Sequence, residues 1–470
     1  MLTDRSSISA TTTSRGYFRE ALKLSLPLVI SQFLIMTSGF ISNLMLSRVS
    51  ETAFAAGLFI NVIQLILITV IFGLLSSLSP LIGKVIGQDK QPEHVGQLFV
   101  AGCLISLLLC IPTMAILYFI EPIMLSLGQP ANLAHQCAQF FHVYMWSIPA
   151  AGLITVFIQL LLGTFKQIVV FFYSIGNLLI SSILGYTLIF GKFGFPVLGL
   201  EGLAWAVSIS SWSAALVLGF FILRNPDYQD KKMLSFQKQN LKKDVYKIIK
   251  IGLPISIHVG NEMFSFLFMI VMVGWISIEA LAMQQVVTRY LLMLAIPIFG
   301  LSQAITVVIS KQFGANRLSE IKQTCHAYIS MGVIYSLVIL FMFAFIPNIF
   351  ISVFIENSSK NAHIYQTLSI VLILMAIGQI FDAIKNITIG ALRGLHDTRF
   401  PMQLSVITIW PIGVPLAYVM GFTLNWGLIG ITIAHVTVIA LCSVILYFRW
   451  INKFKNEESF HRLQETAAKN

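Results

Sequence analysis

Charge is scarce in this chain. Only 10% of its 470 residues are Asp, Glu, Lys or Arg, and the acids number 19. Soluble domains carry roughly 25% charged residues. A chain that is 57% hydrophobic, with a mean hydropathy of +0.85, cannot cover a water-exposed surface with polar groups. Cysteine is scarce too. Cys103, Cys110, Cys137, Cys325 and Cys442 show no CxxC spacing and fall in or near apolar runs. That pattern excludes a disulfide framework and a thiolate metal centre, and leaves five packing residues. There is no HExxH, no Gly-rich phosphate loop and no Ser or Cys nucleophile motif. No enzyme and no cofactor are expected.

What the chain has in quantity is apolar length. A helix needs about 20 apolar residues to cross a bilayer. Such runs occur at 20–46, 54–80, 97–119, 134–163, 168–190, 200–223, 249–275, 280–309, 324–346, 365–391, 402–422 and 428–449. The expected fold is therefore all-α and integral to the membrane, with twelve spans. An even number puts both termini on one side. That side collects 25 of the 30 Lys and Arg residues, whereas the other holds Arg48, Lys192 and Lys360. The positive-inside rule then places both termini in the cytoplasm of a multi-pass inner (plasma) membrane protein. The net charge of +11 needs no nucleic acid, because anionic headgroups of the inner leaflet answer it. Residues 1–16 are polar and Ser/Thr-rich, lack the apolar core of a cleavable signal, and are expected to be disordered. The charged stretch 225–247 reads as a cytoplasmic linker and 451–470 as a cytoplasmic tail.

The chain also repeats itself. An offset of 227 residues aligns Pro27 with Pro254, Ser50 with Ser277, Ala53 with Ala280 and Ala55 with Ala282. The same register carries Phe72-Gly73 onto Phe299-Gly300, Lys84 onto Lys311, Gly87 onto Gly314 and Glu93 onto Glu320. Later, Gly199-Leu200 and Gly202 match Gly427-Leu428 and Gly430 at an offset of 228. Two pseudo-symmetric six-helix lobes follow, 17–224 and 248–450. Six spans per half return the second half in the same orientation, so the repeat is parallel. Lobes of this kind suit a transporter that rocks between two openings.

Ionisable groups inside hydrocarbon are costly and tend to be functional. Among the acids only Glu262 and Asp382 lie well inside spans. His258 and Ser265 share a helical face with Glu262, and Gln379 and Asn386 share one with Asp382. A carboxylate so placed can exchange a proton or hold Na⁺, which is what coupling to an ion gradient requires. The structural alternative is a buried carboxylate held by hydrogen bonds or an ion pair. Two mid-span cations bear on that choice. Arg289 and Lys385 could join the acids in a neutral buried network, or Lys385 could snorkel toward an interface marked by Arg393. Aromatics at 12% and 17 Met can adapt to varied apolar cations where they line a cavity, but most must face lipid or pack between helices.

Four stretches resemble the multidrug and toxic compound extrusion (MATE) family in its bacterial NorM-type branch. They are Gly39-Phe40-Ile41-Ser42-Asn43-Leu44-Met45 with Arg48-Val49-Ser50, and Gly191-Lys192-Phe193-Gly194 with Gly199-Leu200 and Gly202. The others are Gly252-Leu253-Pro254 with Glu262, and Asp382 with Gly390-Ala391-Leu392-Arg393-Gly394 and Asp397. The resemblance implies an antiporter, expected to be monomeric, that exports organic, often cationic, drug-like compounds against H⁺ or Na⁺. It further implies that Glu262 and Asp382 serve the coupling cation, the only metal then being Na⁺ at those acids. Gln284 and Gln285 fall where the family places polar residues near that site. The chain also departs from the family pattern. Ser42 holds the slot of a first-span acid, with Asn43 beside it. Ser181 and Gly185 replace fifth-span asparagines, and Gly378 stands where a tyrosine is common. The alternative function is a flippase or exporter of lipid-linked or other anionic substrates, for which Arg289 and Lys385 would supply positive charge.

Overall fold

Hydrocarbon offers a backbone no outside hydrogen-bond partner, so a chain this apolar must satisfy its own amides, and helices do so within one segment. The computed structural model describes residues 14–89, 92–229, 238–355 and 362–454. Among them, twelve helices are long and apolar enough to cross a membrane. They are α1 (Gly16–Ser47), α2 (Phe59–Gln88), α3 (Glu93–Tyr118), α4 (Ala131–Gly163), α5 (Gln167–Phe190) and α6 (Gly199–Arg224). The second half supplies α7 (Asn240–Ile276), α8 (Ile278–Gly314), α9 (Ser319–Phe345), α10 (Ala362–Gly394), α11 (Arg399–Thr423) and α12 (Gly427–Lys453). Each matches one expected span. Most of the expected N-terminal stretch and C-terminal tail, the middle of the linker, and Lys360 lie outside the described residues. Large side chains such as Leu216, Val217 and Phe220 stand exposed along α6, as the lipid-facing side of a spanning helix must.

The glycine matches of the repeat have steric causes. Gly199 and Gly427 take φ of +56° and +54° where α6 and α12 begin, a conformation that costs a residue with a Cβ more than it costs glycine. Three residues on, a Cβ at Gly202 would lie 2.5 Å from the Leu188 carbonyl oxygen, and one at Gly430 would lie 2.3 Å from that of Met420. Both helices start pressed against the backbone of the preceding span.

The described residues pack as two compact units. One takes Ile30–Gly260, the other the described parts of Met1–Val29 and Asn261–Asn470. The beginnings of α1 and α7 are thus exchanged relative to the sequence repeat. In the first unit Gly73 of α2 meets Ser256 of α7, where a Cβ would sit 2.7 Å from the Ser256 Cα, and Ser256 donates to the Val70 carbonyl at 3.1 Å. In the second, Gly300 of α8 meets Val29 of α1, with the Val29 backbone nitrogen 3.2 Å from the same point. Gly73 and Gly300, like Val29 and Ser256, are related by the 227-residue offset. The close approach that glycine permits is therefore repeated, with helix segments traded between halves.

Within the second unit α10 is the central helix, packed on by α8, α9 and α12. Hydroxyls tie it in. Ser302 of α8 donates to the Asn386 carbonyl at 2.7 Å, Thr306 to the Gly390 carbonyl at 2.9 Å, and Ser336 of α9 to the Gln379 carbonyl at 3.2 Å. Gly390 permits this approach, since a Cβ there would lie 2.4 Å from the Ser302 carbonyl oxygen. The helix α11 is wound unevenly. Segments Thr408–Gly413 and Val419–Thr423 are π-helical. Pro411 and Pro415, which lack an N–H to donate, account for the interrupted ladder.

Candidate functional site

The central position of α10 decides the setting of its charges. Asp382 and Lys385 stand one turn apart on it, and the Lys385 Nζ lies 2.9 Å from the Asp382 Oδ1. Glu262 comes from α7, and the same Nζ donates to its Oε1, also at 2.9 Å. One ammonium thus joins two carboxylates from helices more than a hundred residues apart. The Lys385 side chain is 11% exposed, Asp382 20% and Glu262 32%. Lys385 therefore turns to the acids and does not snorkel.

Of the four charges expected to form a network, Glu262, Asp382 and Lys385 meet. Arg289 is exposed on α8 and has no part in the triad. Arg393, read from sequence as an interface marker, is half-buried and within electrostatic reach of Glu262. Two carboxylates, one ammonium and one guanidinium sum to zero, the arrangement a low-dielectric interior tolerates best. His435 of α12, half-buried, is within electrostatic reach of Lys385, Asp382 and Glu262. Nothing in its local sequence ties His435 to the acids, because no acid or basic residue lies within a turn of it on α12.

The remaining expected residues divide. Asn386 spends its amide nitrogen on the Asp382 backbone carbonyl at 3.0 Å, and Gln379 directs its own to the Leu294 carbonyl at 3.5 Å. Gln284 is buried and Gln285 exposed on α8. Ser265 is half-buried on α7, beyond Glu262. His258 is buried one turn before Glu262, on the part of α7 that belongs to the other unit. A polar chain that sequence reasoning did not find flanks Glu262. The Trp410 indole donates to the Asn261 Oδ1 at 2.7 Å, and the Asn261 Nδ2 donates to the Ser405 hydroxyl at 3.2 Å. It anchors α7 to α11 beside the acid.

In the other unit the first-span slot is occupied only by neutral groups. Ser42 donates back to the Ser38 carbonyl at 3.0 Å, Ser38 and Ser181 share a hydroxyl contact at 3.1 Å, and Asn61 donates to Asn43 at 2.8 Å. Ser38 with Ser181 and Asn61 with Asn43 pair side chain to side chain, and Ser42 bonds its own helix backbone. Among the described residues, no group of three or more His, Cys, Asp or Glu is placed to hold a metal ion.

The MatE family model matches residues 27–187 and again 254–419. The chain belongs to the MATE family. The two matches begin at Pro27 and Pro254, the register of the internal repeat. Among curated MATE relatives, a "Probable multidrug resistance protein NorM" of Rhizobium meliloti is 27% identical over 439 residues, spanning 92% of this chain and 93% of the relative. One of the same name from a Synechococcus is 25% identical, spanning 96% and 97%. Solved MATE structures share the fold. The eukaryotic MATE transporter AtDTX14 superposes with a TM-score of 0.82 at 20% identity, covering 96% of this chain and 99% of that one. The Vibrio cholerae MATE transporter VcmN in its bent form gives 0.83 at 14%, covering 97% and 99%. Among the described residues of this MATE chain, Glu262 and Asp382 are gathered on Lys385.

Proposed function

We propose that this MATE protein is a secondary active multidrug efflux antiporter. It exports organic, amphipathic and mostly cationic compounds in exchange for H⁺ or Na⁺ by alternating access, lobes 17–224 and 248–450 moving against each other. The observation that carries the reading is the convergence of Glu262 and Asp382, two mid-span carboxylates from different helices, on a single point. An antiporter needs a group whose occupancy by the driving ion changes the affinity for drug, and the change must be a differential affinity between two states. Carboxylates released from Lys385 in one state and held by it in the other meet that need. Entry of the ion from outside favours the state with weaker drug binding, and release follows.

Orientation and environment belong to the same proposal. The protein is a monomer in the plasma membrane with both termini in the cytoplasm, and only small drug-like molecules and lipids are its partners. An exporter of anionic substrates would need free cations at its centre. Lys385 is bound between acids and Arg289 is exposed on α8, so that alternative has weaker support.

The test is drug export by Glu262→Gln and Asp382→Asn, followed as ethidium efflux from cells that lack their own major pumps. Each variant is expected to fall to near background at normal membrane abundance. Full export by both variants would exclude these acids from coupling.

A further inference from the structure

The acid pair already holds a cation. Lys385 Nζ is 2.9 Å from Glu262 Oε1 and 2.9 Å from Asp382 Oδ1, the place a small monovalent ion would need if both carboxylates were to bind it. We propose that Lys385 is the ion-selectivity residue of this site: its tethered ammonium fills the Na⁺ position and excludes Na⁺ as the coupling ion. The inference rests on the antiporter reading for its physiological meaning and on the geometry alone for its binding claim.

The charges around the triad support it. Asp382 and Arg393 face it from α10, Glu262 from α7, and His435 from α12. With Lys385 and Arg393 present, the two carboxylates are balanced, and Na⁺ would be surplus charge in a low-dielectric site. An Na⁺ on the acids would lie about 4 Å from Nζ. At an effective dielectric near 20 the repulsion lowers affinity about a thousandfold. The 227-residue register sets Ile35, not an acid, against Glu262 in the other half. A site that excludes Na⁺ leaves the proton as the driving ion, because a proton joins a carboxylate covalently and needs no coordination shell.

The predicted consequence is a Na⁺ site made by one substitution. In Lys385→Gln the two carboxylates keep their positions without their ammonium. The probe is Na⁺ itself, exchanged for N-methylglucamine at constant ionic strength, and the readout is the thermal unfolding midpoint of the purified full-length protein in detergent. Wild type is expected to show the same midpoint in both salts. Lys385→Gln is expected to rise by a few degrees in Na⁺, as binding to the folded state requires. Lys385→Arg should behave as wild type, and adding Glu262→Gln to Lys385→Gln should abolish the response. A Na⁺-dependent rise in wild type that disappears in Asp382→Asn overturns the proposal, and so does a folded Lys385→Gln with no response. If Lys385→Gln does not accumulate, the wild-type and Asp382→Asn arms decide alone. No transport is measured here, so a failed antiporter reading would be seen only in efflux assays and not confused with this result.

Discussion

Removing Lys385 should cost more stability than removing either acid, and removing an acid as well should return part of that cost. In Lys385→Met two carboxylates face each other with their shared cation gone. Breaking a buried ion pair by deleting one partner costs about 3–5 kcal/mol. Glu262→Gln is milder. Its side chain is 32% exposed, and Lys385 keeps Asp382 as a partner, so the loss is one charge-assisted bond partly screened by water, about 1–2 kcal/mol. In the double variant only Asp382 remains to be desolvated alone. The two changes should therefore be less than additive, with a coupling of about 1–3 kcal/mol. Entropy of unfolding scales with chain length, so a protein of this size shifts by about 1 °C per kcal/mol. Thermal midpoints of the four proteins in one detergent close the cycle. Additivity to within about 0.5 kcal/mol would mean that Lys385 and Glu262 do not share one site.

Further predictions follow from contacts elsewhere. Gly252→Ala places a Cβ 2.2 Å from the Leu74 carbonyl oxygen and should cut the yield of monodisperse protein, at about 1–3 kcal/mol of overpacking. Gly39→Ala, with nothing within 4 Å, is the matched control and should leave size-exclusion profiles unchanged. Asp397 accepts from Lys453 at 2.6 Å and Arg449 at 3.3 Å, tying the turn after α10 to the end of α12. Asp397→Asn should destabilise by about 1–3 kcal/mol, read as a lower thermal midpoint. Trp410→Phe removes the bond to Asn261 and should lower the midpoint by about 1 °C.

Hydropathy made the twelve spans legible, because a bilayer imposes length and composition at once. Glu262 and Asp382 were legible for the same reason, since an acid in such a run has no casual explanation. Their partners were less so. Lys385 at i+3 from Asp382 was visible on a helical wheel, but whether its flexible stem turns to the acids or to the interface depends on α7, which sequence spacing does not position. Arg289 and Arg393 are both arginines near span ends or within spans, and only the packing around α10 separates the exposed one from the one near Glu262. His435 carried a usable signal, an ionisable residue inside α12, but no other charge lies within a turn of it to suggest a partner. The exchange of the first parts of α1 and α7 was half legible. The 227-residue register already paired Gly73 with Gly300, but hydropathy is silent on which neighbour a glycine lets approach.

Ion-driven export is tested most directly by one measurement. Purified protein in proteoliposomes loaded with a fluorescent organic cation is given a pH gradient and a Na⁺ gradient separately, each with the membrane potential clamped. The expected result is drug movement opposite to the proton gradient, lost in Glu262→Gln and Asp382→Asn, with the Na⁺ gradient inert. Drug movement under neither gradient would contradict ion-driven export by this protein.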